Sequence, residues 1–393
     1  MRIAVINAFF PPRAGGSAHL SEAIARHCVE AGHEVLVITS TFRDSPREEI
    51  VGGVRIVRLP GLAPTTKLAF NYDIPFTFSP RNIKRMGRLL EEFAPDVVHQ
   101  HGQFFDLTWM STRWARQHHV PVVLSVHTRL ISPSRLHGAV MAIGDLGVVR
   151  PFVRASKPWV VAVDGPVHGY VAKRYGISPN RIIDIPVGVE TDRFVQGDGK
   201  SIRERLGIGD RPMILSLGHV IPLRDRLALV EAMPHLLRTV PDVIVVIVGH
   251  VYDDRFQKRA AELGVDGSLI VTGAVPKDDV PHFAAAAHVE AHDLQDIGFG
   301  TASLEMLAAG VPVVTTARPD NYPTGRLVDG ENVILVREHD PEGLAEAFRR
   351  LLDDASLRKR VGDGGRQLIK DQFSMQAVTE AHLQLFQDAI DQY

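Results

Sequence analysis

The chain is nearly without cysteine. Cys28 stands alone among 393 residues, which excludes an internal disulfide framework and leaves no cysteine cluster to hold a metal. It falls in a helical pattern with Leu20 and Ile24 and reads as a core residue rather than a nucleophile. Long apolar runs are also lacking. The longest, 243–248, is flanked by Asp242 and Gly249; it suits a buried strand and falls far short of the ~20 residues that cross a bilayer. The first strand-like run begins at the N-terminus with no charged leader or cleavage site before it, so the expected location is the cytoplasm, extending to the inner face of the cell membrane. Net charge is close to absent at −2, yet it is unevenly spread: residues 1–190 carry 22 Lys and Arg against 15 Asp and Glu, and the remainder 22 against 31. An anionic partner for the front half and scattered solvated charge both fit that asymmetry.

What is present is an ordinary globular composition, 45% hydrophobic and 23% charged, in a chain long enough for two cores. Strand-like runs alternate with amphipathic segments of helical length, the pattern of parallel sheets with crossover helices. In the front half the expected strands are 2–7, 34–39, 96–99, 121–125, 159–163 and 182–185. A turn-rich joint follows at Pro186-Val187-Gly188-Val189 and the polar residues 196–199. The alternation then restarts with expected strands at 213–217, 243–248, 269–272, 289–291, 311–315 and 333–336. The tail reads as one more helix, with Val378, His382 and Phe386 spaced four apart. The fold expected is α/β, with two doubly wound domains, each of which binds ligands beyond the ends of its strands.

Two segments carry chemistry. Pro11-Pro12-Arg13-Ala14-Gly15-Gly16-Ser17 joins the first strand to the first helix; adjacent glycines let a ligand approach the backbone and the helix end offers free N–H groups, though a plain tight turn satisfies the same pattern. The second is Gly298-Phe299-Gly300-Thr301-Ala302-Ser303-Leu304-Glu305. Here two glycines precede a short helix with Thr301 or Ser303 as its cap, and a diphosphate fits on the exposed N–H groups. Glu305 reads either as an acceptor for two ribose hydroxyls or as an acid stabilised by the helix dipole.

That second segment resembles the donor-binding stretch of glycosyltransferase family 4, retaining enzymes of the GT-B fold. Further matches follow in family order: Ala31-Gly32-His33-Glu34-Val35, Pro95-Asp96-Val97-Val98-His99-Gln100-His101, the run 121–127, Gly188-Val189-Glu190-Thr191-Asp192-Arg193-Phe194 and Asp329-Gly330-Glu331-Asn332. The resemblance implies two Rossmann-like domains facing a central cleft: 1–186 on the acceptor side, 187–373 binding a nucleotide-sugar donor, and 374–393 packing back across the first. It implies that Gly15, Gly16 and His101 lie near donor phosphate and acceptor, that His127 faces the transferred sugar, and that Gly218, His219, Arg224, Asp296, Gly298, Phe299, Gly300, Thr301 and Glu305 bind the donor. His127, Arg224 and Glu305 are the residues it places in catalysis. No metal or other cofactor is implied, because positive side chains and helix ends neutralise the leaving diphosphate. The acceptor would be a hydroxyl of a glycan, glycolipid or small molecule.

Three positions depart from the family. Ile297, beside Asp296, stands where a glutamate usually contacts the donor sugar; His219 and Arg224 stand at the usual arginine and lysine positions; and Asp320-Asn321-Tyr322-Pro323-Thr324-Gly325 replaces a Gly-Gly followed by glutamate. An isoleucine cannot hydrogen-bond a hydroxyl, so a different donor sugar, a neighbour such as Asp296 taking over the contact, or lost activity would follow. Arg224, joined by Arg226, is expected to clamp the diphosphate. A catalytically degenerate GT-B subunit supporting a partner transferase is the alternative function, and a sugar-nucleotide epimerase shares the fold. One further segment, 79–90, places Ile83, Met86 and Leu90 among Arg81, Lys84, Arg85 and Arg88, after Phe70, Tyr72, Phe76 and Phe78. An anionic membrane surface and an ordinary core-facing helix compete for it. Nucleic acid is not an expected partner.

Overall fold

From Ile3 to Asn7 every residue of the first strand is buried, and a strand covered on both faces belongs inside a parallel sheet. The computed structural model, which describes residues 1–13, 16–62, 74–130, 135–194, 197–221, 224, 226–292, 294, 298–322 and 325–393, has two α/β units. They comprise Met1–Gly188 with Met375–Tyr393, and Val189–Ser374.

The first unit runs β1 (Arg2–Asn7), α1 (Gly16–Glu30), β2 (Glu34–Ser40), β3 (Glu48–Val51), β4 (Val54–Leu59), α2 (Pro80–Phe93), β5 (Val97–His101), α3 (Asp106–His118), β6 (Val122–Val126), α4 (Arg135–Gly144), a π-helical turn at Asp145–Val149, α5 (Arg150–Ser156), β7 (Trp159–Ala162), α6 (Gly165–Tyr175) and β8 (Ile182–Asp184). Its sheet has the order β3-β4-β2-β1-β5-β6-β7-β8 and is parallel except for the β3–β4 pair. Because β1 pairs with β2 on one side and with β5 on the other, the strand order reverses there, and the loops after β1 and β5 leave the sheet at its switch point.

The second unit runs α7 (Gly199–Leu206), β9 (Met213–Leu217), α8 (Leu227–Leu237), β10 (Ile244–Val248), α9 (Arg255–Leu263), β11 (Leu269–Gly273), α10 (Val280–Ala286), β12 (Val289–Glu290), α11 (Thr301–Ala309), β13 (Val314–Thr315), β14 (Ile334–Leu335), α12 (Pro341–Asp353) and α13 (Ala355–Leu368). Its parallel sheet has the order β11-β10-β9-β12, and one bridge, Glu290 to Val313, links it to the β13–β14 pair. Here the reversal lies between β9 and β12. The loops that begin at Gly218 and Ala291 therefore emerge side by side. The last helix, α14 (Met375–Asp391), returns to the first unit, where Val378, His382 and Phe386 are buried and the helix packs on α1, β5 and β6.

Of the two readings of 79–90, the structure supports the core-facing helix. Ser79 caps α2 and its apolar side is the core side: Met86, Leu89 and Leu90 are buried, and Ile83 packs against the same cluster. Arg81, Lys84 and Arg88 face outward with no apolar surface between them to insert. Phe76 and Phe78 are exposed, while Phe70 and Tyr72 lie outside the described residues. Among the described residues no helix is long and apolar enough to cross a membrane.

Candidate functional site

In the first unit the chemistry gathers at the ends of β1, β5 and β6. Asn7, the last residue of β1, donates from Nδ2 to Ser21 Oγ at 2.8 Å and accepts the Phe9 N–H at 3.0 Å, bracing the start of the following loop against α1. The buried Arg58 donates to the Pro11 carbonyl at 2.8 Å, and Arg13 stacks on Phe42. The loop is thus pinned by polar groups before it reaches Gly16, the first residue of α1. A Cβ built at Gly16 meets nothing within 4 Å among the described residues. Gly15 lies outside the described residues.

His127 follows β6, and its Nε2 lies 3.0 Å from Nδ1 of His101, at the end of β5. The two rings stack with centroids 5.3 Å apart and planes 10° from parallel. One ring nitrogen of this bond donates and the other accepts, so the tautomers of the two rings are coupled, and His127 keeps its Nδ1 for a ligand. Behind His101 are His99, with its ring centroid 4.3 Å away and its Nε2 2.8 Å from Ser125 Oγ, and then His382, whose Nδ1–H donates to the Val378 carbonyl at 2.7 Å. Burial pushes all four imidazoles down: His99 and His101 well below their ordinary value, His127 and His382 to about 4. They are neutral over the physiological range and bond or stack with one another. Among the described residues no group of three His, Cys, Asp or Glu is arranged to hold a metal ion.

In the second unit the glycine segment and the β9 loop meet at the start of α11. Gly300 is the N-cap and no side chain caps the helix, so neither Thr301 nor Ser303 serves as the cap expected from sequence. Thr301 is the exposed first residue of the helix; Ser303 is buried and donates to Glu290 Oε2 at 3.2 Å, tying α11 to the end of β12. The Arg224 guanidinium lies against Gly300: a Cβ placed there would sit 2.8 Å from Nη1. A permanent cation therefore crosses the entrance to a helix whose N-terminus already favours anions. Arg226 has the opposite fate. It is buried and donates to the carbonyls of Arg224 at 2.6 Å and Gly218 at 3.0 Å, so it holds the loop and does not join a diphosphate clamp. Gly218 is required by its neighbours: its φ is +123° and a Cβ would fall 2.7 Å from the ring of the buried His292.

Glu305 lies in the second turn of α11, partly buried, and burial raises its carboxyl pKa against the pull of Lys277 and Arg193. His219 is exposed and faces the loop after β10, its Nδ1 accepting the His250 N–H at 3.2 Å. The Phe299 N–H, expected to meet a ligand, donates instead to the Tyr322 hydroxyl at 2.7 Å, and the two rings stack. Beside them Asn321 is buried, and neither atom of its carboxamide has a hydrogen-bond partner among the described residues; its Nδ2 lies 3.2 Å from the Cβ position of Gly298. Asp296 and Ile297 lie outside the described residues.

Sequence reasoning thus located Gly218, Arg224, Gly298, Gly300, Thr301 and Glu305 at one end of one sheet, and His101 with His127 at one end of the other. It missed Asn321 and Tyr322, whose only signal was that the segment broke the expected glycine pattern. It also missed Lys277, which no motif marks, and the hydrogen bond from Arg193 Nη2 to the Lys277 carbonyl, which gathers both cations near Glu305.

Two family sequence models match the chain, that of Glycosyltransferase Family 4 over residues 14–193 and that of Glycosyl transferases group 1 over residues 198–368. The chain is 29% identical over 376 residues to the GDP-mannose-dependent alpha-(1-6)-phosphatidylinositol monomannoside mannosyltransferase of Mycolicibacterium smegmatis, covering 92% of each. It is 31% identical over 370 residues to the D-inositol 3-phosphate glycosyltransferase of Acidothermus cellulolyticus, covering 86% of this chain and 78% of that one. Among solved structures it resembles Anabaena HepE in complex with UDP, with a TM-score of 0.75 at 15% identity over 99% of this chain and 100% of that one. It also resembles the sucrose-phosphate synthase of Thermosynechococcus elongatus, with a TM-score of 0.70 at 19% identity over all of both chains.

Proposed function

This chain belongs to glycosyltransferase family 4, with the GT-B fold, and from that premise we propose that it is a retaining, metal-independent enzyme moving a hexose from a nucleoside diphosphate to a hydroxyl of a glycan or lipid-linked acceptor. That it is a glycosyltransferase follows from the family; donor, stereochemistry and metal independence are our reading. The observation that carries it is Arg224 lying against Gly300 at the uncapped start of α11, with Glu305 one turn further in. A diphosphate set on that helix end has its charge met by the guanidinium and the first-turn N–H groups, and the ribose falls toward a carboxylate able to accept both of its hydroxyl protons. The named activity of the mannosyltransferase relative, which uses GDP-mannose, and the UDP bound to Anabaena HepE support a nucleotide-sugar donor.

Positive potential supplied by a permanent cation and a helix end acts on the leaving diphosphate as it departs, the term that contributes most to such transfers. With that charge met, the departing phosphate oxygen takes the proton of the incoming hydroxyl on the same face of the sugar, and the anomeric configuration is kept. His127, neutral and hydrogen-bonded to His101, keeps a ring nitrogen with which to bind a sugar hydroxyl. Asn321, close to Gly298, is the described polar group best placed to bear on donor-sugar choice where Ile297 removes the usual carboxylate. Proton NMR of the fresh product decides the stereochemistry: an α-linked donor should yield an α-linked product, at an unchanged rate after exhaustive chelation with EDTA. A β-linked product, or activity restored only by a divalent ion, contradicts this reading.

A further inference from the structure

The loops after β5 and β6 are fastened to each other at two points. One is the bond between the rings of His101 and His127. The other belongs to Gln103, two residues beyond His101, whose Nε2 donates to the Thr128 carbonyl at 2.9 Å. A carbonyl only accepts, so the amide nitrogen must be the atom turned toward it. Among the described residues no other hydrogen bond holds 127–129, and the two bonds fall on neighbouring residues of that segment.

The backbone behind Gln103 is stiff. Gly102 turns the chain out of β5 at φ +83°, and a Cβ there would fall 2.6 Å from the Phe105 ring. Its N–H donates to the Ser125 carbonyl of β6 at 3.0 Å, and its carbonyl accepts from Thr108 Oγ1 at 2.7 Å. The Gln103 carbonyl in turn accepts from Trp109 Nε1 at 3.2 Å. The arm is thus held by β6 and α3 before its side chain reaches Thr128. That side chain is fully buried, and its Oε1 has no hydrogen-bond partner among the described residues. An unpaired buried oxygen is destabilising, and an apolar side chain of the same size would avoid it. What the amide adds over such a side chain is one donor, aimed at the residue next to His127.

We propose that Gln103 is a positioning residue for sugar transfer, which together with His101 holds the His127 ring in place with its Nδ1 toward the transferred sugar. His101 fixes the edge of the ring and Gln103 fixes the backbone that carries it. Released at Thr128, the segment can pivot about the His101 bond, and a displacement of about 1 Å costs up to about a hundredfold in rate. The role in transfer rests on the proposed activity, in which His127 faces the sugar; the clamp itself does not.

The test compares Gln103→Met and Gln103→Glu in the full chain, by turnover of GDP-mannose or UDP-glucose with water as acceptor. Methionine has a similar volume, cannot donate and removes the unpaired oxygen, so this variant should melt like the parent. Its kcat should fall about ten- to a hundredfold, while its affinity for GDP or UDP alone, assigned to the second unit, is unchanged. A glutamic acid donates to the Thr128 carbonyl only while protonated, and burial raises its pKa. Relative to the parent, Gln103→Glu should therefore be most active at mildly acidic pH and lose activity as pH rises, a profile that filling space does not produce. Ring-nitrogen NMR of histidine-labelled protein, with His127 assigned through His127→Gln, gives a readout that needs no turnover. In Gln103→Met the His127 signals should move or broaden while those of His288, in the second unit, stay. Parental kcat in the Met variant overturns the proposal, as do His127 signals that do not move, or Met and Glu variants equally impaired at every pH. A parent that turns over neither donor speaks against the proposed activity, and the His127 signals then decide the clamp alone.

Discussion

Arg224 and Arg226 stand two residues apart in one loop and do unlike things. Arg226 is enclosed and holds the carbonyls of Gly218 and Arg224, whereas Arg224 lies over Gly300 at the start of α11. Nothing in the order of the residues separates them; the difference comes from which one the turn aims into the loop. Arg224→Ala is expected to weaken nucleoside diphosphate binding by one to two powers of ten, about 1.5–3 kcal/mol for a charge-assisted contact, with little change in melting temperature. Arg226→Ala should lower the melting temperature first, because it leaves two loop carbonyls without their donor; calorimetry and thermal melting separate the two. Glu305 gives a pH signature. Burial raises its pKa, so donor affinity should fall on acidification before an ordinary glutamate would protonate, and Glu305→Gln should bind weakly with a flatter profile. Cys28, its thiol pushed up to about 12 by burial, should resist thiol reagents in the native state at mildly alkaline pH.

The elements show what the residue pattern could and could not reveal. Most central strands were legible as short, largely apolar runs buried on both faces, as 243–248 illustrates around β10. The hairpin of β3 and β4 was not read, although Gly52-Gly53, at φ +55° and +80°, is a sequence signal for a two-residue turn. β3 is an edge strand with an exposed face and lacks the apolar run that marked the others. The apolar side of α2 was visible in sequence, but whether it met core or membrane depended on partners far along the chain. In the same way the spacing around Gly298 showed a helix start, while Tyr322 filling the place of a ligand at the Phe299 amide depended on a loop more than twenty residues away. Gly300→Ala tests the helix end directly. Its Cβ would displace the Arg224 guanidinium, so it should reproduce the binding loss of Arg224→Ala in a protein that still folds. In the first unit, Asp145→Ala leaves Tyr170, Tyr175 and Arg174 without their acceptor and should destabilise that unit by about 3 kcal/mol, read as an earlier melting step.

At the scale of the whole molecule the histidines set an acid limit. His127 and His382 titrate at about 4 when folded, against about 6.5 in the unfolded chain. Between those values the unfolded chain takes up protons that the folded one refuses. Stability therefore rises with pH across that window and is lost on acidification from about 6.5 toward 4. Thermal melting over the range should show this fall, with a shallower slope in His382→Gln. The second unit is acidic overall, yet Arg224 places a cation at the start of α11. The central claim is that this cation and the α11 N-terminus form a nucleotide-sugar site. Isothermal titration of the full chain with UDP, GDP, ADP and TDP, repeated with Arg224→Ala, tests it most directly. The account predicts one saturable site preferring a single base, with affinity falling tenfold or more in the variant. No binding by any of the four, or equal binding in parent and variant, would contradict it.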